Sequence, residues 1–386
     1  MRIGILTFHD EVNYGSLLQA YAMQSALIRL GHEAVILDRW FQPGQDRLYG
    51  ILHQRSFLEG IKFLLGIISF NGMISKYLRM WRSRRFIRKH LHLTAYHFCE
   101  CEDAPKDLGL DLIIVGSDQV WHPNARPDIY LLNWVRGVPG IAYAASFGVN
   151  DIPDEMRELY RNGFKNFKAI GARELEGVRI VESLGGNAMH VVDPTLLAPR
   201  EVYDRFLGPN KSPHITCYFL SENYADYAVK LGRFARQNHL TVEFYVQDFE
   251  IWSISNLLKC KFAQLVYPIK IRYSAGPEGF VSSVATAMCV FTNSFHALMF
   301  SMIYRRNVRV VKPTAPWRKG MSARMQEMSD KLIRGPLIAE TIDDAMSSYC
   351  NGEFVSYNEE ELSRRIEASE RWLQNAVRDE IAGGDR

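Results

Sequence analysis

An apolar run of strand type that ends in a small polar turn and leads into a helix recurs along this sequence. It constrains the fold more than any other feature. Residues 2–8 form the first such run, Asn13-Tyr14-Gly15-Ser16 is a turn, and residues 17–30 have helical spacing. Gly31 is placed as the C-cap and residues 34–38 as the next strand. A β–loop–α–β unit of this kind predicts a parallel sheet covered by helices. The pattern continues with strands over 110–115, 140–146, 169–172 and 189–192, and a helix over 154–167. It restarts after Pro213, with strands over 214–220, 242–246, 290–291 and 308–311. Helices are expected there over 224–237, 279–287 and 294–304, and a long charged helix over 358–381.

A chain of 386 residues suits two α/β domains better than one core. The expected division is 1–204, with a helical insert at about 47–90, then 205–335, then a helical C-terminal segment 336–386. Ligands of doubly wound sheets bind beyond the carboxyl ends of the strands and in the cleft between domains. The motifs below fall at such strand ends.

The net charge of +3 identifies no partner, but its distribution is uneven. From Tyr77 to Cys99 there is no acid, while Arg79, Arg82, Arg84, Arg85, Arg88 and Lys89 crowd together. From Gly279 to Gln326 there is again no acid, and that stretch carries Arg305, Arg306, Arg309, Lys312, Arg318, Lys319 and Arg324. Such stretches attract anions, unless they are solvated faces that balance acids elsewhere. The six cysteines form no CxxC pair and no ligand-spaced set with histidine. Cys217 and Cys289 sit in apolar runs and read as core thiols, which suits a reducing compartment without structural zinc. No metal, cofactor or nucleic-acid partner is expected. The N-terminus turns polar too early for a signal peptide, so a cytoplasmic location is expected. Residues 57–70 are the most apolar stretch, interrupted by Glu59 and Lys62 and too short to span a bilayer. They are either a helical hairpin packed on its own domain or an amphipathic helix lying on the inner face of a membrane.

Five motifs carry candidate chemistry. At Asn13-Tyr14-Gly15-Ser16 a helix begins, so Ser16 is the expected N-cap, or free N–H groups hold an anion or a sugar hydroxyl. Gly116-Ser117-Asp118-Gln119 follows a buried strand. There Asp118 is placed to accept a hydroxyl proton, with Gln119 and Trp121 as a sugar-friendly wall, or else it caps an Asx turn. Arg173 after residues 169–172 offers a fork for carboxylate or phosphate, or a surface ion pair with Glu174 or Glu176. Asp193-Pro194-Thr195 reads mainly as a packing turn. Asn293-Ser294-Phe295-His296 starts a helix inside the acid-free stretch, where Ser294 and free N–H groups form an anion site and His296 can serve as a general acid.

The ordered set NYGSLLQAYA, GSDQVW, IAYAASFG, VVDPTLL, GPEGFV and TNSFHALMFSMIY resembles the polysaccharide pyruvyl transferase family over most of the chain. The resemblance implies two Rossmann-like domains, as in B-type glycosyltransferases. It also implies transfer of a pyruvyl group from phosphoenolpyruvate to hydroxyls of a sugar acceptor, free or lipid-linked, forming a ketal. The family's SFHG maps onto Ser294-Phe295-His296-Ala297, its arginine onto Arg173 and its GSD aspartate onto Asp118. His296, Asp118 and Arg173 are then the expected catalytic residues. Asn13, Tyr14, Gly15, Ser117, Gln119, Asn293, Ser294, Phe295, Arg305, Arg318 and Arg324 are expected to bind substrate. The alternative is a nucleotide-sugar glycosyltransferase on the same fold, with Glu278 of Gly276-Pro277-Glu278-Gly279 near the ribose.

Overall fold

The computed structural model describes residues 1–9, 13–39, 72–208, 212–220, 224–246, 254–314, 325–326 and 329–383. Two parallel sheets organise them. The first contains β1 (Arg2–Leu6), β2 (Glu33–Arg39), β3 (Leu93–Phe98), β4 (Leu112–Val115), β5 (Gly140–Ala145), β6 (Phe167–Ala172) and β7 (Met189–His190). Its order is β3-β2-β1-β4-β5-β6-β7, so the direction of winding reverses between β1 and β4. The second contains β8 (His214–Phe219), β9 (Thr241–Val246), β10 (Ile269–Arg272), β11 (Cys289–Thr292), β12 (Asn307–Val311) and β14 (Ile338–Ala339), in the order β10-β9-β8-β11-β12-β14. A small antiparallel pair joins β13 (Ile333–Arg334) to β15 (Ser356–Tyr357).

Single turns aside, the helices are α1 (Tyr14–Arg29), α2 (Gly72–His90), α3 (Arg157–Gly163), α4 (Leu175–Ser183) and α5 (Tyr224–Gln237). They continue with α6 (Ile254–Val266), α7 (Pro277–Thr286), α8 (Phe295–Ile303), α9 (Ile342–Cys350) and α10 (Glu359–Gly383). The central strands are apolar on both faces because helices cover both. Ile3, Ile5, Ile36 and Ile114 pack under α1, while Leu6, Val115, Trp121 and Phe147 fill the opposite layer. Cys217 and Cys289 are core thiols, and burial drives both upward in pKa, Cys289 to about 12.

Several expectations shift. The helix expected over 154–167 is broken: α3 ends at Gly163, and Phe167 already opens β6. A side chain at 163 would meet Leu131, while Phe164 and Phe167 turn inward against Trp121. The segment 336–386, expected to be helical, also supplies β14 and β15. Of the expected insert at 47–90, residues 47–71 lie outside the described residues, and α2 is its described part.

The lobes meet through aromatic side chains. Tyr14 stacks on Phe280 at 5.0 Å between centroids, approaches Tyr218 at 5.5 Å, and donates from its hydroxyl to the Ala275 carbonyl. Aromatic pairs of this kind add about 0.5–1.5 kcal/mol beyond area burial. Finally α10 crosses back onto the first lobe. Ser369 accepts the Val192 N–H, Trp372 packs against Tyr143, and Leu373 and Val377 are buried there.

Candidate active site

Three strands of the first sheet deliver polar side chains to one place. Beyond β4 come Ser117 and Asp118, beyond β6 come Arg173 and Glu174, and beyond β7 comes Asp193. Asp193 is wholly buried. Its Oδ1 accepts from the Thr195 N–H at 2.9 Å and the Thr195 hydroxyl at 2.7 Å, capping the single turn Pro194–Leu197. Its Oδ2 accepts from the Ser117 hydroxyl at 2.7 Å and lies 3.5 Å from Arg173 Nη1. Arg173 also donates from Nε to Glu174 Oε1 at 3.0 Å. Ser146 holds that same carboxylate oxygen at 2.8 Å, and a bulge places it there. The register slips between Ala142 and Ala145, and Ala144 takes a φ of 56°.

The second lobe closes the cluster with α8. The Phe295 ring lies 4.3 Å from the Arg173 guanidinium, so the fork is stacked as well as hydrogen-bonded. His296 Nε2 lies 3.9 Å from Asp193 Oδ2 and has no hydrogen-bond partner. A ring nitrogen shut from water without a partner is costly unless a ligand atom meets it. Ser294 is the N-cap of α8, yet its side chain makes no cap hydrogen bond and the first turn holds no acid. The positive end of the helix dipole is therefore unmatched by any side-chain charge in that turn.

Burial lowers the His296 pKa and Arg173 adds to this, while Asp193 and Asp118 oppose it, so the imidazole is neutral near pH 7. For Asp193, burial alone would raise the pKa, but His296, Arg173 and the two hydroxyl donors hold it below the usual carboxylate range. For Arg173, the desolvation cost is outweighed by Glu174, Asp193 and Asp118.

Asp118 sits at a φ of 74°, a conformation that aspartate tolerates better than most residues and that concentrates at functional sites. Its Oδ2 accepts from the Ser16 hydroxyl at 2.7 Å and its Oδ1 from the Gln119 N–H. Ser16 is thus not the N-cap of α1. Asn13 is, accepting the Gly15 N–H at 2.9 Å. Gly15 packs its bare α-carbon against His296: a β-carbon there would fall 2.1 Å from Nδ1. Gly15→Ala is expected to cost about 1–3 kcal/mol, as overpacking does. Denaturant unfolding that leaves stability unchanged would show that the two helix starts are not in firm contact.

The remaining candidates are placed as follows. Tyr14 is buried in the lobe interface, under Arg79 and against Phe280, with burial raising its pKa. Asn293 bonds both ways to the Leu220 backbone and ties the β8 loop to the β11 loop. The Gln119 side chain lies against Gly148. Trp121, expected as a pocket wall, is instead fully buried among Phe147, Phe164 and Phe167, because its bulky ring fills the layer beneath β4 and β5. Arg305, expected near substrate, stands beyond the far end of α8, paired with Glu359 at 2.5 Å. The nine-residue length of α8 separates it from His296. Arg318 and Arg324 lie outside the described residues. Asp193 is the centre that the sequence reading set aside as a packing turn, because an Asp-Pro-Thr turn looks the same when it merely packs. A cavity of about 630 Å³ opens elsewhere, between α2 and the second lobe, and Glu278 lines it beside His90. Among the described residues no cluster of three metal-ligating side chains occurs.

Two parallel α/β lobes with this order define the architecture of B-type glycosyltransferases and related epimerases. The UDP-GlcNAc 2-epimerase of Neisseria meningitidis bound to UDP-GlcNAc superposes with a TM-score of 0.53 at 8% identity, over 98% of this chain and 100% of that one. The UDP-N-acetylglucosamine 2-epimerase of Rickettsia bellii gives 0.50 at 11%, over 98% and 96%. That of Methanocaldococcus jannaschii, in complex with UDP-GlcNAc and UDP, gives 0.51 at 10%, over 91% and 92%. At these identities the likeness is one of fold. No curated protein matches the chain. Over residues 13–313 the sequence matches the polysaccharide pyruvyl transferase model, and the chain belongs to that family.

Proposed function

We propose that this transferase moves a pyruvyl group from phosphoenolpyruvate to two hydroxyls of a sugar, forming a ketal. The observation that carries the reading is the meeting of Arg173 and His296, from opposite lobes, at Asp193. The donor brings a carboxylate and a phosphate. Arg173, the uncapped start of α8 and His296 Nε2 are suited to such groups. Among the described residues Arg173 brings the guanidinium of this cluster, and against it stand the carboxylates of Asp118, Glu174 and Asp193, so a donor with both a carboxylate and a phosphate calls for further cations. Arg318 and Arg324 are assigned that part, and Arg305 is released from it.

In the reaction a proton goes to the methylene carbon and leaves an oxocarbenium-like centre. A sugar hydroxyl attacks that centre and gives up its proton, with Asp118 as acceptor, while Ser16 holds and orients the carboxylate. A second hydroxyl then displaces phosphate and closes the ketal; its proton leaves with the phosphate. His296 supplies the first proton. Neutral in the free protein, it becomes protonated when the anionic donor arrives, because opposite charge raises its pKa. Binding of phosphoenolpyruvate near neutral pH is therefore expected to take up protons. Titration calorimetry in buffers of differing ionisation enthalpy reads this, and uptake should vanish in His296→Gln. We assign the acceptor as an envelope polysaccharide unit or its lipid-linked precursor, modified at the inner membrane face.

The test is to incubate the protein with phosphoenolpyruvate and a panel of sugar acceptors and follow phosphate release. Acceptor-dependent release is the expected result. Stabilisation by a nucleotide sugar and none by phosphoenolpyruvate, in thermal unfolding, would replace this reading with the glycosyltransferase one.

A further inference from the structure

We infer that the outer face of α2 is a docking surface for an anionic lipid bilayer, which deepens the proposed membrane-face location of the reaction. The inner face of this helix is fixed to both lobes. Arg79 donates to the Val246 carbonyl, Arg82 to the Ser274 carbonyl and hydroxyl, and Phe86 is buried against Tyr21 and Phe206. The helix is therefore held as a rigid rail, and what it turns outward is well defined.

Outward stand Tyr77, Leu78 and Trp81, 49%, 40% and 50% exposed. Large apolar side chains this open, within five residues of one another, need an explanation that scattered surface residues do not. The next two turns of the same helix expose Arg84, Arg85, Arg88 and Lys89, with no acid between Tyr77 and Cys99. Aromatic rings at one end of an exposed stripe and cations along the rest match the headgroup boundary of an anionic bilayer. A protein partner would have to match the stripe with carboxylates; the bilayer matches both parts with phosphates and acyl chains.

A second feature points the same way. The 630 Å³ cavity adjoins α2, and Arg82 and Arg85 of this helix line it together with Glu278 and Arg272, the latter paired with Glu243 at 2.7 Å. Arg85 stands 5.6 Å from the Trp81 ring centroid, so the cavity wall and the exposed stripe share a residue pair. Tyr14, next in sequence to the Gly15 that touches His296, donates to Ala275 in the same cavity wall. A docked α2 thus sets beside the bilayer a hollow in which Arg82, Arg85 and Arg272 outnumber Glu278, where a phosphate-bearing lipid headgroup fits.

The experiment is co-sedimentation of the full chain with vesicles of phosphatidylglycerol and phosphatidylcholine, against phosphatidylcholine alone, at low and high salt. Wild type should pellet with the anionic vesicles only and be released by salt, because the Debye length falls from about 10 Å at 0.1 M to about 3 Å at 1 M. Arg84→Ala/Arg88→Ala should weaken binding by about 30-fold. Trp81→Ser/Tyr77→Ser should abolish pelleting while keeping phosphate release from phosphoenolpyruvate with a soluble acceptor. Equal pelleting on both vesicle types, no pelleting, or undiminished binding by the variants would overturn the docking surface. Release by inorganic phosphate at constant ionic strength would show a free-anion site in place of a bilayer contact. Pelleting does not depend on turnover, and phosphate release serves only as a control on the variant, so the docking surface and the transferase reading fail separately.

Discussion

His296→Ala should lower phosphate release from phosphoenolpyruvate by 10²- to 10⁴-fold, roughly the contribution of a well-placed acid, while leaving the fold intact. The side chain makes no hydrogen bond at Nε2, so removing it strands no protein partner. Its loss opens space against Gly15 and uncovers Asp193. The fall should appear mainly in kcat if the imidazole delivers the proton, and mainly in KM if it only holds phosphate. His296→Gln, which keeps a donor but cannot protonate, separates the two: it restores binding in the second case and not turnover in the first. Near-wild-type rates in the alanine variant would remove His296 from the chemistry.

Asp193→Ala is the change with the largest expected effect on stability, a loss of about 3–5 kcal/mol, as when one partner of a buried ion pair is removed. Four groups lean on this carboxylate: Ser117, Thr195, Arg173 and His296. Without it Arg173 keeps only the Glu174 ion pair, and the turn at Pro194 loses its cap. Asp193→Asn retains an acceptor for Thr195 and should cost less. The depressed pKa also fixes the sign with pH. The carboxylate adds stability above the ordinary aspartate range, and this is lost as pH falls through its lowered folded value. The wild type should therefore lose stability faster on acidification than Asp193→Asn does. Denaturant unfolding across that range is the measurement, and parallel curves would contradict the assignment.

Much of the architecture was legible because period and punctuation agreed. The helix expected over 224–237 is α5 as found, and β1, α1 and β2 lie within three residues of expectation at their ends. Other elements were hidden for physical reasons. β3 is an edge strand with mixed exposure and follows a basic helix without a turn residue to announce it. α6 and β10 follow residues 247–253, where no regular spacing marks a boundary. Arg173, His296 and Asp118, which the structure gathers around Asp193, stood out in the sequence because a strand end or a helix start places them. Asp193 was passed over because its role exists only in three dimensions: residues 117, 173 and 296 are distant in the chain and meet only when two sheets are stacked. Trp121 shows the reverse error, since an aromatic beside a polar turn looks like a pocket wall until the layer below claims it.

The return of α10 onto the first lobe has a mechanical result. Among the described residues the chain passes from the first lobe to the second after Asp204 and back near Glu359, so the joint has a second thread. A single thread would let the halves swivel; two let them open like a book while resisting twist. Opening would part His296 from Asp193, and reclosing would bring them back on the same line. The pairing of His296 with Asp193 is thus kept in alignment by α10, which reaches the same strand end through Ser369 and Val192.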